Sequence, residues 1–185
     1  MYSAHFLSAA QREALGALAV ESAALEYTVN LALTILTDLD AHQASVMFEG
    51  RMLGWKLDAL KAIGLERLTT EVKRRAFSQL IGTLKSLNGE RTVAIHGQWQ
   101  PAGGVRLGEL FAGADPATRP AEATIARDGK VRKLKAGRLH EIANGLSDGE
   151  VSLGRFVMEE FWVMPNARRH YRRRKKSDTP PASSG

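Results

Sequence analysis

The chain contains no cysteine, which excludes a disulfide framework, a thiolate metal site and a cysteine nucleophile, and is compatible with a reducing interior. Long hydrophobic runs are missing as well. No stretch approaches the roughly 18 apolar residues that would span a bilayer, and residues 1–15, "MYSAHFLSAAQREAL", lack the basic-then-apolar order of a secretory signal. A cytoplasmic protein with no membrane association is expected. No repeat of fixed period is present, and no glycine loop of the kind that cradles phosphates; Gly103-Gly104 is only a turn signal. His5, His42 and His140 have no partner spacing that suggests a metal site, so each reads as a plain surface histidine. Neither a metal nor a cofactor is expected.

What is present fits one globular domain with a substantial core, or one domain plus an ordered appendage: 185 residues, 44% of them hydrophobic. The formal charge of +6 suggests a polyanion partner until its location is considered. Residues 168–178, "RRHYRRRKKSD", hold seven basic and one acidic side chain, and without them 19 basic residues face 19 acidic ones. The body is neutral. Any affinity for nucleic acid therefore rests on this tail or on a local site, not on overall basicity.

Residues 8–37 are rich in Ala, Leu and Glu, with Leu15, Leu18, Leu25, Val29 and Leu36 spaced for one face of a long helix. A second helical pattern covers about 41–63, with Phe48, Met52, Trp55, Ala59 and Ala62 in one stripe and Gly64 as its stop. A third begins near Thr69 or Thr70 and turns Ala76, Leu80, Leu84 and Leu87 inward. Asn88-Gly89 could kink it, but the pattern resumes through Ile95 and ends at His96-Gly97, where glycine suits a left-handed position. The texture then changes to short alternating stretches, and Asp128-Gly129 between two of them signals a two-residue hairpin turn. Two or three short strands are expected there. A last helical pattern spans about 138–162, with Leu139, Ile142, Leu146, Leu153, Phe156, Val157 and Phe161 on one side, though Gly145, Gly149 and Gly154 could interrupt it. The predicted fold is mainly all-α, a bundle of four to five helices over residues 1–164, with a small β-hairpin insertion at about 98–136 before the last long helix. Residues 165–185 form a basic tail expected to lack fixed structure.

One short stretch combines residues that carry chemistry: "ERTVAIHGQW", residues 90–99. An imidazole can exchange a proton near neutral pH, and a guanidinium can fork onto phosphate oxygens, so Arg91 and His96 together suit a phosphodiester without a metal. The plainer alternative makes Arg91 a surface side chain and His96 a cation favoured at a helix C-terminus by about 0.3–1 kcal/mol. Five helical positions rotate by about 140°, so the pair does not share one narrow face. Unwinding at His96-Gly97, or a two-fold partner, would be needed to bring the two together. Thr92, four residues before His96, does share its face and could orient the ring.

This stretch, with Arg91, four intervening residues, His96, Gly97 and Trp99 at the end of a third helix and before a strand region, resembles the HEPN superfamily. The likeness extends weakly over residues 8–162 through the order of helices and is sharp at 90–99. It implies a helical bundle that commonly dimerises and often acts as a metal-independent endoribonuclease in toxin–antitoxin, phage-defence or RNA-processing systems. Carried over residue by residue, it implies that Arg91 stabilises the phosphate and His96 serves acid–base catalysis of attack by the neighbouring ribose 2′-hydroxyl. Thr92 stands where active members commonly have Asn, Asp or His. The implied partners are RNA, a second copy of the chain and an antitoxin or other protein.

Further residues support or compete with this reading. Arg168, Arg169, Tyr171, Arg172, Arg173, Arg174, Lys175 and Lys176 could contact RNA phosphates and stack on a base, or could simply form a solvated tail. Arg127, Lys130, Arg132, Lys133, Lys135 and Arg138 read as an exposed hairpin face or a substrate track. Trp55 and Trp99 are expected in the core or a cleft wall, with base stacking a lesser role for Trp99 beside His96. Trp162 and Phe161 are expected to close the bundle. Glu21 and Glu26 read as solvated unless one holds the Arg91 guanidinium. The competing function is a non-catalytic helical-bundle module that binds RNA, a nucleotide or a partner protein. A third reading is a scaffold in which Arg91 and His96 are purely structural.

Overall fold

The computed structural model describes residues 7–101, 122–127 and 130–162. It shows a mainly α-helical bundle of five helices with a small antiparallel sheet: α1 Ala9–Thr37, α2 Ala41–Phe48, α3 Leu53–Arg67, α4 Glu71–His96, β1 Gln98–Pro101, β2 Glu122–Arg127, β3 Lys130–Lys135 and α5 Ala136–Phe156, which runs on into a π-helical turn at Val157–Phe161. None of these helices is long and apolar enough to cross a membrane.

Helix starts follow local capping chemistry. Ser8 Oγ accepts from the Gln11 backbone N–H while Gln11 Oε1 accepts from the Ser8 backbone N–H, and Asp40 and Gln43 repeat this reciprocal arrangement at the start of α2. Gln11 is wholly buried, and its amide also donates to the Leu134 carbonyl of β3 at 3.2 Å. The start of α1 is thereby tied to the sheet.

The described residues fall in two compact units, one within the bounds Met1–Leu25 and Leu84–Asp148, the other within Glu26–Thr83 and Gly149–Gly185. In the first, Ala14, Leu18, Leu84, Ala94, Trp99, Ile125, Leu139, Ile142 and Leu146 are buried. Its sheet has the order β1-β2-β3, with Trp99 opposite Ile125 and Arg127 opposite Lys130. That register leaves two residues between β2 and β3, as Asp128-Gly129 implies. In the second, Phe77 stacks on Phe156 with ring centroids 5.0 Å apart, and Phe161 meets Phe77 edge-on at 5.6 Å and Phe156 at a tilt at 5.8 Å. Glu26 takes the ammonium of Lys56, a lysine only 2% exposed, at 2.6 Å.

Several expectations need correction. The pattern at 41–63 is two helices, because Glu49 and Met52 are extended and Gly50 takes a left-handed φ of 73°, which re-phases the stripe. Leu53, Leu57 and Leu60 are therefore buried, while Met52 is 81% and Trp55 44% exposed. Gly64 does not stop α3; a Cβ there would lie 2.4 Å from the Phe77 ring, so the glycine permits a close approach. On α4 the inward stripe is Phe77, Ile81 and Leu84, with Ala76 exposed. Helix α4 continues through Asn88-Gly89, and α5 continues through Gly145, Gly149 and Gly154. On α5, Leu139, Ile142, Leu146 and Leu153 are buried as expected, and so are Val157 and Phe161 in the π-helical turn.

Candidate functional site

The region around residues 90–99 lies within the first unit. Arg91 sits in the penultimate turns of α4, half-buried, where its Nε–H donates to Ser22 Oγ of α1 at 3.2 Å. Ser22 is itself buried and donates its hydroxyl proton to the Leu18 carbonyl at 2.6 Å, so its oxygen is oriented to accept from Arg91. The guanidinium is thus anchored through Nε, and its terminal amines make no hydrogen bond among the described residues. Neither Glu21 nor Glu26 holds it, and Glu26 is engaged with Lys56.

The neighbouring carboxylate is taken. Arg138, in the first turn of α5, donates from Nη2 to both Glu90 oxygens at 2.7 and 2.8 Å and from Nε at 3.1 Å. Its Nη1 donates to Glu141 at 2.8 Å. Hydrogen bonds to Glu141 and to Glu90 raise the Arg138 guanidinium above its usual range. Arg138 is therefore an ion-pair residue and not an open member of a basic track. Lys135 is exposed and engaged in a contact of its own, and Arg127, Lys130, Arg132 and Lys133 stand on the two strands of the hairpin.

His96 is the last residue of α4 and is exposed. The helix remains regular up to it, so within one chain Arg91 and His96 project about 140° apart and are not brought together. Thr92 donates its hydroxyl proton one turn back to the Asn88 carbonyl at 2.6 Å, away from His96. The side-chain Oδ1 of Asn88 is buried and has no donor among the described residues.

The chain leaves α4 through a tight junction. Gly97 donates to the Val93 carbonyl at 2.9 Å, and a Cβ at this position would lie 2.4 Å from Ile125 Cγ1. Close packing, not the expected left-handed φ, requires glycine here, since Gly97 is not among the positive-φ residues. Trp99 follows on β1, 8% exposed, its indole N–H donating to the Ala94 carbonyl at 2.9 Å. It is a core aromatic that locks the strand to the helix end, and its burial removes base stacking. Phe161 is buried and Trp162 half-buried.

Sequence reasoning placed Arg91, His96 and Trp99 in one stretch but missed Ser22 and the Glu90–Arg138 pair. A signal for Ser22 existed: it is the polar member of the stripe Leu18, Ser22, Leu25, Val29. The basic tail at 168–176, His5 and Gly103-Gly104 lie outside the described residues. Comparison of the chain with models of known protein families, with curated proteins and with solved structures finds no match.

Proposed function

We propose that this chain is a HEPN-like RNA-binding protein of the toxin–antitoxin or defence type, in which Arg91 is the phosphate receptor. The carrying observation is the state of that side chain: fixed by one hydrogen bond to a neutral hydroxyl, with its terminal amines uncommitted among the described residues. A guanidinium positioned through Nε keeps its outer fork for a planar or tetrahedral oxyanion, and little conformational freedom is lost when a phosphate arrives. The basic segment at 168–176 adds a sequence-independent, salt-sensitive contribution.

The exposure of His96 favours a second reading, metal-independent endoribonuclease activity. The angular separation of Arg91 and His96 then requires a homodimer, whose two-fold axis sets His96 of one chain beside Arg91 of the other. Arg91 stabilises charge on the phosphate, and His96 exchanges the proton of the attacking 2′-hydroxyl or of the leaving oxygen.

The test uses the purified chain, Arg91→Ala and His96→Ala with a mixed RNA pool in EDTA. RNA binding lost in Arg91→Ala, with folding intact, supports the receptor role; unchanged binding removes it. Products with 2′,3′-cyclic phosphate ends that vanish in both variants support the nuclease. Binding without cleavage over a broad substrate set identifies the non-catalytic module.

A further inference from the structure

Arg91 follows Glu90 directly in α4, so a carboxylate is attached one residue from the cation that the RNA-binding reading assigns to phosphate. Left free, that carboxylate would repel an incoming phosphate. The structure shows Glu90 pinned by three short contacts from Arg138, which reaches it from a helix whose sequence position is 48 residues away. Arg138 is in turn held by Glu141 of its own helix at 2.8 Å. Its raised affinity for a proton agrees with a guanidinium committed to carboxylates. The forked geometry occupies both Glu90 oxygens, and Glu90 remains only 30% exposed.

We infer that Arg138 is a positioning residue for the Arg91 phosphate site, which it serves by holding the Glu90 carboxylate away from RNA. The inference rests on the RNA-binding reading and extends it. Arg138 acts through Glu90 and does not itself touch RNA, so the harm done by its loss is offset when the Glu90 charge is removed as well. A merely structural ion pair would behave differently, because its loss would lower the unfolding temperature along with the affinity, whereas compensation of the Glu90 charge acts on affinity alone.

The experiment measures the affinity of the full chain for a labelled, 2′-O-methylated single-stranded RNA, which cannot be cut by attack of its own 2′-hydroxyl. The parent protein is set beside Arg91→Ala, Arg138→Ala, Glu90→Gln and the Glu90→Gln/Arg138→Ala pair, with thermal unfolding recorded for each. A carboxylate freed at about 7 Å from a bound phosphate in a water-like dielectric weakens binding about threefold. Arg138→Ala is expected to show that loss, and the double variant, which carries neither charge, is expected to return to the affinity of the parent. Arg138→Gln replaces Arg138→Ala if the latter unfolds. A double variant as weak as Arg138→Ala overturns the inference, and a salt slope reduced by about 0.7 would then mark Arg138 as a phosphate contact itself. If Arg91→Ala binds as the parent does, or the parent does not bind, the RNA-binding reading fails and the inference fails with it.

Discussion

Replacing Gly97 by alanine tests the junction that carries the chain from α4 into the sheet. The added Cβ would stand 2.4 and 2.5 Å from Ile125 Cγ1 and Cδ1 and 2.6 Å from the Val93 carbonyl oxygen. Ordinary carbon contacts lie at about 3.5–4.0 Å, so each of these overlaps by roughly 1 Å. Ile125 is wholly buried in β2 and cannot swing into solvent, and the Val93 oxygen is main chain already bonded to the Gly97 N–H. Relief must come from moving β2 or the end of α4. Overpacking of this kind costs typically about 1–3 kcal/mol, and the backbone clash puts the expected loss near the upper end, about 3 kcal/mol. Urea denaturation of the parent protein and of Gly97→Ala measures it. A cycle with Ile125→Ala separates the side-chain clash from the backbone clash: the two substitutions together should cost at least about 1 kcal/mol less than their sum. A loss below about 0.5 kcal/mol for Gly97→Ala alone would refute the reasoning, since that is the range of substitutions that touch nothing.

Other substitutions probe the remaining contacts. Trp99→Phe should cost about 1 kcal/mol through the lost indole bond to Ala94, and Trp99→Ala about 3–5 kcal/mol, both read by urea denaturation. At the buried ion pair the two partners are unequal: Lys56→Met keeps the stem packed and frees a carboxylate that is 39% exposed, so it should change stability by less than about 1.5 kcal/mol. Glu26→Ala strands the buried ammonium and should cost about 3 kcal/mol; equal losses for the two would contradict this assignment. Ser22→Ala should loosen Arg91, weakening RNA binding in a filter assay at a stability cost of about 1 kcal/mol. Deleting residues 168–185 should flatten the salt dependence of RNA affinity, and an unchanged slope would remove the tail from the account.

Long amphipathic segments declared themselves in the sequence because burial at three- and four-residue steps leaves a periodic record. Residues 8–37 became Ala9–Thr37. The hairpin was equally legible, since Asp128-Gly129 between alternating stretches specifies a two-residue connection and the Arg127–Lys130 pairing requires one. Periodicity failed where a short break re-phased it. Once Gly50 turned the chain, Met52 and Trp55 fell on the outer face and Leu53, Leu57 and Leu60 on the inner one. Gly64 and Gly97 both read as helix stops, yet each is needed for what lies opposite, Phe77 in one case and Ile125 in the other. A sequence shows a glycine but not its neighbour across the core. The same limit hid the partners of the candidate site. Arg91 was legible as a cation near a helix end, whereas its dependence on Ser22, 69 residues earlier, and the capture of Glu90 by Arg138 arise only when α1, α4 and α5 pack.

The central claim is that Arg91 takes an RNA phosphate. It is tested most directly by the salt dependence of affinity for a 2′-O-methylated single-stranded RNA, compared between the parent chain and Arg91→Ala. Loss of one phosphate contact predicts weaker binding at every salt concentration and a slope of log K against log salt shallower by about 0.7. Two superimposable lines, with both proteins folded, would contradict the claim.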